Sequence, residues 1–397
     1  MPMLGLVLAL LLVASLIDAT AAAPVVRWSR AAGTDLSAVA AVPGGGAVVT
    51  GARSTKGSLE RPALLVRRYG PDGSVLWSRS WRTSKIQPTG NDVAIGADGS
   101  VYVAGLAGCV GFENAGFFVR KYGPQGRLRW TRLSPGGPCR DAETATGVAV
   151  RGGLVVVVGH RFGCCDVAAD DGWIRAYRPR GTLRWMTDFE APGYRDTNDA
   201  AMGVAIGGLG RIYVVGEVET APRDDTTQMV DHEAVVQKLT STGTVIWTRV
   251  MHDRGIKDND VATSISVRGD RVMMLALLNW RGGSGPWGGP GWLGRFTFGG
   301  NLVWSRWLRG RFPAAVAVTA SGRTLVTGTV HRRLASRGSD LFLRRYATRG
   351  SLDWEALIDR GSRYVRGSDV ADTRGGAYVS GNAGSTEPTG RLWKWST

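Results

Sequence analysis

The sequence predicts an all-β fold built from repeated antiparallel units of four strands. One observation is composition: the 397 residues include 57 glycines and 15 tryptophans, which suits short strands joined by glycine-containing turns. The other is a motif that recurs at a spacing of about 50 residues, the signature of a repeat architecture. Six times, a glycine stands four residues before a tryptophan, and an aromatic residue or leucine stands eight before it: Tyr69/Gly73/Trp77, Tyr122/Gly126/Trp130, Tyr177/Gly181/Trp185, Leu239/Gly243/Trp247, Phe296/Gly300/Trp304 and Tyr346/Gly350/Trp354.

One repeat, residues 91–130, shows the expected elements in order. A short apolar strand leads through an Asp-Gly turn into a strand rich in β-branched and aromatic residues. A variable loop, a third strand, a second tight turn and a fourth strand follow. The four predicted strands are 92–95, 101–105, 117–122 and 127–132. Four antiparallel strands connected in this way make one blade of a β-propeller.

The first strand of the repeat occurs seven times, which predicts seven blades. The last repeat has a third strand at residues 392–395 and no fourth strand after it. Residues 25–30 carry the fourth-strand pattern around Trp28 and have no repeat before them. We therefore expect residues 25–30 to complete the last blade and close the ring, which removes the free sheet edges of an open array.

The N-terminus has the features of a secretory signal. Residues 4–17 are almost entirely apolar, and Ala19-Thr20-Ala21 offers a small-x-small cleavage pattern. We expect residues 1–21 to be removed and residues 22–397 to form one exported domain, secreted or associated with the cell envelope. An uncleaved N-terminal anchor is the alternative. No second apolar run of that length follows, so we do not expect an integral membrane protein. We also expect a monomer.

The net charge of +16 favours anionic partners outside the cytoplasm, such as cell-wall polymers, acidic glycans or phospholipid headgroups. Export makes nucleic acid a poor candidate, and coding bias combined with solubility is the alternative origin of the charge. Basic residues precede the third-strand aromatic in six repeats, where we expect them to keep outer strands soluble: Arg68, Lys121, Lys238, Arg295, Arg345 and Lys394.

The repeat resembles the bacterial β-propeller repeat family called SBBP. The resemblance covers residues 25–397 and is carried by the run 118–122, then Gly126 and Trp130, then the run 147–150. The chain is also similar to quinoprotein (PQQ-type) propeller repeats, which usually form eight blades around a calcium-quinone site that has no counterpart here. The SBBP resemblance implies an exported bacterial protein without an assigned activity. It transfers no catalytic residue and implies no cofactor.

All four cysteines fall in or beside loops expected at one face of the propeller: Cys109, Cys139, Cys164 and Cys165. In an exported chain such cysteines favour disulfides. We expect Cys109 or Cys139 to pair with Cys164 or Cys165. A vicinal bond and a metal or redox site are the alternatives, although the spacing lacks a Cys-x2-Cys unit.

The same face is predicted to carry His232, His252 and Asp253, each in a loop rich in acidic residues. Neighbouring loops could bring these side chains together as a divalent-cation site. The alternative is that they are solvated and form Asx turns.

The most unusual loop, residues 279–291, contains Trp280 and Trp287, which the repeat does not require. Exposed tryptophans among glycines suggest stacking on a sugar ring, an apolar face or a peptide. Alternatively, they cover the core of their blade. Together these features predict an exported, non-enzymatic binding or scaffold protein whose variable loop face meets a cell-envelope polymer, glycan or protein. The alternative is a lyase or hydrolase with a histidine and carboxylates on that face.

Overall fold

A computed structural model describes residues 24–33, 35–55, 58–84, 86–109, 113–134, 137–138, 141–163, 171–193, 198–220, 231–251, 259–280, 291–331, 338–358, 364–384 and 389–396. Of these, it describes the backbone alone at 54–55, 58–61, 109, 113–115, 137–138, 141–142, 162–163 and 279–280. No helix among the described residues is long and apolar enough to cross a membrane.

The described residues are almost entirely β-strand, with one 3₁₀ turn at Gly208–Gly210 and no α-helix. The strands are β1 (Val25–Ala31), β2 (Asp35–Ala41), β3 (Ala47–Thr55), β4 (Ser58–Tyr69), β5 (Val75–Trp81), β6 (Ile86–Ile95), β7 (Val101–Cys109), β8 (Glu113–Tyr122), β9 (Leu128–Leu133), β10 (Gly137–Pro138), β11 (Asp141–Arg151), β12 (Leu154–Gly163), β13 (Gly172–Tyr177), β14 (Leu183–Phe189), β15 (Asp199–Ile206), β16 (Ile212–Glu219), β17 (His232–Leu239), β18 (Val245–Met251), β19 (Asn259–Arg268), β20 (Arg271–Trp280), β21 (Gly291–Phe296), β22 (Leu302–Leu308), β23 (Phe312–Val318), β24 (Thr324–His331), β25 (Ser339–Tyr346), β26 (Leu352–Ile358), β27 (Tyr364–Thr373), β28 (Gly376–Gly384) and β29 (Thr389–Ser396).

The strands form antiparallel runs of four, which we number as units in chain order. Units 1 to 6 are β2–β5, β6–β9, β11–β14, β15–β18, β19–β22 and β23–β26, and unit 7 is β27, β28, β29 and β1. The short strand β10 adds to unit 2 by pairing with β8. Units 4 and 5 are joined by one parallel residue pair, His232 with Asn259, and units 6 and 7 by another, Ser339 with Tyr364.

Unit 7 combines strands from the two ends of the chain. Strand β1 pairs antiparallel with β29, from Val25 opposite Ser396 to Ala31 opposite Arg391. The backbone N–H of Val25 also donates to the Ser396 hydroxyl at 3.3 Å. Residues 25–30 therefore lie at the fourth-strand position of the last unit, where the repeat pattern placed them.

The apolar core is divided into clusters that lie between consecutive units. Leu64 of unit 1 packs in one cluster with Phe118 of unit 2, and the later units repeat this arrangement. A further cluster joins Tyr69 of unit 1 with Tyr378 of unit 7. Each unit thus buries both faces of its sheet against neighbours, so that stability comes from packing between sheets.

Every first strand carries a β-bulge at the same register. The extra residues are Ser37, Asn91, Thr146, Met202, Thr263, Ala314 and Ser368. All seven are partly or fully exposed, while the valine or isoleucine two positions later is buried in six of the seven strands. A bulge increases the local twist of its strand, so the repeated bulges give the first strands a common bend.

Candidate functional site

The repeated tryptophans connect each unit to the next. In unit 1 the Trp77 Nε1–H donates to the carbonyl oxygen of Pro124 at 2.9 Å. The indole also lies against Gly126, where a Cβ would come within 2.7 Å of the ring. Equivalent Nε1–H bonds are Trp28 to Pro71, Trp130 to Pro179, Trp185 to Ser241, Trp247 to Phe298 and Trp304 to Thr348. We call each of these Trp–Gly contacts between units a joint. The glycine of one motif therefore contacts the preceding unit, and the tryptophan of the same motif contacts the following unit.

Basic side chains reinforce the same joint. Two residues after the tryptophan, Arg79 donates from Nε to the carbonyl oxygen of Gly126 at 2.8 Å. The basic residue on the third strand also reaches the carbonyl that the tryptophan uses: Arg68 donates to Pro124 at 2.7 Å and Lys238 to Phe298 at 2.7 Å. Solubility alone therefore does not explain these basic residues, because their side chains also donate hydrogen bonds to backbone carbonyl oxygens of the neighbouring unit.

The joint between units 6 and 7 differs. The Trp354 Nε1–H is buried and has no acceptor among the described residues. Arg345 donates to Asp353 at 3.1 Å rather than to a neighbouring carbonyl. In unit 7 the third and fourth strands, β29 and β1, come from opposite ends of the chain, so no hairpin turn connects them to supply the usual carbonyl.

Two carboxylates bridge first strands of consecutive units. Asp92 accepts the backbone N–H of Val93 and that of Val148 in unit 3, both at 2.7 Å. Asp369 accepts from Val370 at 2.7 Å and from Val39 in unit 1 at 2.8 Å. Burial among protein atoms raises the pKa of Asp92 to about 6. Burial and the nearby charge of Asp92 raise the pKa of Asp369 to about 8.

These carboxylates could exchange protons near neutral pH, yet each oxygen already accepts a backbone hydrogen bond. Both residues remain partly accessible to water. Their observed contacts hold first strands together, and sequence reasoning missed that role. The available signal was an aspartate directly before the valine in two of the seven first strands.

Of the predicted loop-face residues, the structure describes His232 in full. It is partly buried at the start of β17, with Nδ1 3.1 Å from Oδ1 of Asn259. Nearby, Asn198 bonds the Glu219 carboxylate through its side-chain amide and its backbone N–H. Among the described residues, no group of three His, Cys, Asp or Glu side chains is arranged to hold a metal ion.

The other predicted site residues lie outside the described residues or are described in backbone only. His252, Asp253, Trp287, Cys139, Cys164 and Cys165 belong to the first group, and Trp280 and Cys109 to the second. Convergence of His232 with His252, the disulfides and stacking by the two tryptophans therefore stay predictions.

The turns between first and second strands and between third and fourth strands lie at one end of each unit, which we call the hairpin edge. This edge carries exposed basic side chains. Between units 2 and 3 this edge contains a cleft of about 500 Å³. Lys121, Arg129 and Arg180 line it together with Asp98 and Trp130. Asp98 accepts hydrogen bonds from the backbone N–H and hydroxyl of Ser100, and these bonds lower its pKa.

Comparison with solved structures shows the fold class. The chain is similar to the Dos1 propeller, with a TM-score of 0.50, 9% identity, and coverage of 93% of this chain and 94% of that chain. It is also similar to Trypanosoma rangeli sialidase in complex with the inhibitor DANA, with a TM-score of 0.50, 9% identity, and coverage of 82% of this chain and 57% of that chain. A third similar structure is the β-propeller domain of the Trilobed protease from Pyrococcus furiosus, with a TM-score of 0.49, 9% identity, and coverage of 92% and 94%.

No protein-family model and no curated protein matches the chain. The four-stranded antiparallel units and the likeness to the Dos1 propeller identify the fold as a β-propeller.

Proposed function

We propose that the chain is a seven-bladed β-propeller of the SBBP type whose ring is closed by β1. Three contacts support closure. The β1–β29 ladder completes unit 7 with the first strand of the chain. The cluster joining Tyr69 with Tyr378 and the hydrogen bond from Val39 to Asp369 connect unit 7 to unit 1. A closed ring leaves each sheet face covered by a neighbour.

The proposed function is that of an exported, non-enzymatic binding or scaffold module that presents its variable loop face to a cell-envelope polymer, glycan or protein. The supporting observation is a contrast in connection length between the two ends of the units. At the hairpin edge every connection between consecutive strands of a unit has two or five residues. At the opposite end, connections between second and third strands range from two residues, 56–57, to twelve, 220–231.

This contrast separates a constant scaffold from a variable surface. The Trp–Gly joints connect the fourth strand of one unit to the turn between the third and fourth strands of the next. All six of these turns have five residues, and a change in their length would displace the glycine from the indole. Loops at the other end are free of that constraint, and loops held by a rigid scaffold are where binding residues concentrate. Export by residues 1–21 would bring this surface to cell-envelope components.

The test uses the two tryptophans of the longest glycine-rich loop. We expect Trp280→Ala combined with Trp287→Ala to abolish sedimentation with purified cell-wall sacculi while the melting temperature stays nearly unchanged. Trp307→Ala is the matched control, because Trp307 is an exposed tryptophan on β22 of the same unit and should leave binding intact. A double variant that loses stability would show that these indoles cover the core, and one that still sediments would remove the loop from the binding role.

A further inference from the structure

The hairpin edge of units 2 and 3 exposes arginines that have no carboxylate partners. Six arginines here are exposed, and none forms an ion pair or a side-chain hydrogen bond with another described residue: Arg127, Arg129, Arg151, Arg178, Arg180 and Arg184. The carboxylate of Asp98, which also lines the cleft between these units, accepts from Ser100 and lies 4.0 Å from Lys121 Nζ, so it is not paired with any of these arginines. This sector therefore concentrates unneutralised positive charge.

The same edge of units 5 to 7 is partly neutralised, and three exposed arginines there have no carboxylate partner among the described residues: Arg27, Arg349 and Arg374. Asp270 lies within 3.1 Å of Arg271 and 3.5 Å of Arg295. Asp353 pairs with Arg323 and Arg345 at 3.0 and 3.1 Å, and Asp372 pairs with Arg268 at 2.8 Å. Carboxylate-paired arginines at this edge thus lie in units 5 and 6, whereas exposed unpaired arginines are most numerous in units 2 and 3. Solubility alone does not require this asymmetry.

Exposed aliphatic side chains accompany the unpaired arginines. Met186 is 64% exposed on the same strand as Arg184, and Leu183 is 46% exposed at a position that is also aliphatic and exposed in the other units. In the next unit Leu209 is 93% exposed at the tip of the Gly208–Gly210 turn. Its φ of +55° is a left-handed conformation that a leucine adopts at a cost. Neither packing nor backbone geometry explains a leucine at this tip.

We propose that the hairpin edge of units 2 to 4 docks on an anionic lipid bilayer. Arginines near a membrane surface are attracted to anionic headgroups, and aliphatic side chains beside them gain by entering the boundary between headgroups and acyl chains. In the cleft between units 2 and 3, Arg129 and Arg180 are the basic side chains open to a lipid phosphate, because Lys121 already bonds the Pro179 carbonyl oxygen and lies 4.0 Å from Asp98. A soluble polyanion would use the arginines and leave Leu209 in water. This surface lies at the opposite end of the units from the variable loop face.

Sedimentation with vesicles tests the charge component. The vesicles contain phosphatidylcholine with phosphatidylglycerol, at about physiological salt. We expect Arg178→Gln combined with Arg180→Gln to weaken binding about 25-fold, at about fivefold for each arginine near the surface. The matched control is Arg82→Gln with Arg309→Gln, two exposed arginines at the loop end of their strands. Equal weakening by both double variants would show a response to net charge alone and overturn the proposal.

Leu209→Gly tests the aliphatic component without loss of fold, because glycine adopts a positive φ freely. We expect this variant to bind vesicles more weakly than the wild type while its melting temperature is unchanged or higher. Vesicle binding equal to wild type would overturn the membrane assignment. So would binding of free polyphosphate that is as tight as vesicle binding and equally strong in the Leu209 variant. Sacculus binding by Trp280 and Trp287 is measured separately and has its own outcome.

Discussion

Two tryptophans with nearly equal burial allow the stability contribution of the inter-unit joint to be measured. Trp77 is 9% exposed and Trp354 is 7% exposed. The Trp77 Nε1–H donates to Pro124 at 2.9 Å, whereas the Trp354 Nε1–H has no acceptor among the described residues. Replacement of either residue by phenylalanine removes the N–H and the same part of the ring. Trp77 also packs against Gly126, and none of the glycines that the structure describes lies against Trp354, so the difference between the two variants reports the hydrogen bond together with that contact.

We expect Trp77→Phe to reduce the free energy of unfolding by about 1–2 kcal/mol more than Trp354→Phe. An intramolecular hydrogen bond contributes about 1 kcal/mol net, and removal of a buried unpaired donor recovers part of its desolvation cost. Urea denaturation followed by far-UV circular dichroism gives both values, and an unchanged m-value shows that the unfolding reaction is the same. Equal losses, or a larger loss for Trp354→Phe, would refute the assignment of the joint.

Three further predictions concern other contacts of the scaffold. Gly126→Ala should lower the melting temperature more than Gly152→Ala, because both glycines have positive φ but only Gly126 lies against an indole. Equal losses would show that backbone strain explains the whole effect and that the indole contact contributes nothing. Burial raises the pKa of Asp369 to about 8, so its contribution to stability is present below about pH 4 and is lost as pH rises through about 8. Asp369→Asn should remove the decline in the free energy of unfolding between about pH 6 and 8, while Asp92, whose pKa is raised to about 6, still contributes a decline below about pH 6; an unchanged decline between about pH 6 and 8 would contradict this assignment. Deletion of residues 24–30 should expose β29 as a free edge and promote aggregation, seen by light scattering; unchanged solubility and melting would argue against closure by β1.

The strand units were predictable because hydrophobic alternation and turn residues act locally. The Gly-x-x-x-Trp spacing placed the third and fourth strands of each repeat, and the unmatched Trp28 placed β1 beside β29. The repeated tryptophans lie between units; Trp77 and Trp354 are buried, and Trp28, Trp130, Trp185, Trp247 and Trp304 are partly buried. These successes rest on patterns that fix secondary structure and the sheet face of each residue.

Partnerships between units were not predictable from spacing. Gly126 and Trp130 are four residues apart in sequence, yet Gly126 contacts Trp77 of the preceding unit. A single sequence does not distinguish that arrangement from a contact within one unit, because every repeat carries both residues. For the same reason the third-strand lysines and arginines were interpreted as solvent-facing charge. The loop-face prediction stands on residues outside the described set, apart from His232.

The ladder between β1 and β29 determines how the molecule would respond to mechanical force. Val25 lies opposite Ser396 at one end of that ladder, so the start of β1 and the end of β29 lie side by side. Tension applied between residues 25 and 396 would load one residue pair at a time and peel the strands apart from that end. Tension applied between residues 31 and 396 would instead load the whole ladder in shear, with its hydrogen bonds sharing the force. Where this protein is tethered would therefore decide how much load its last sheet withstands.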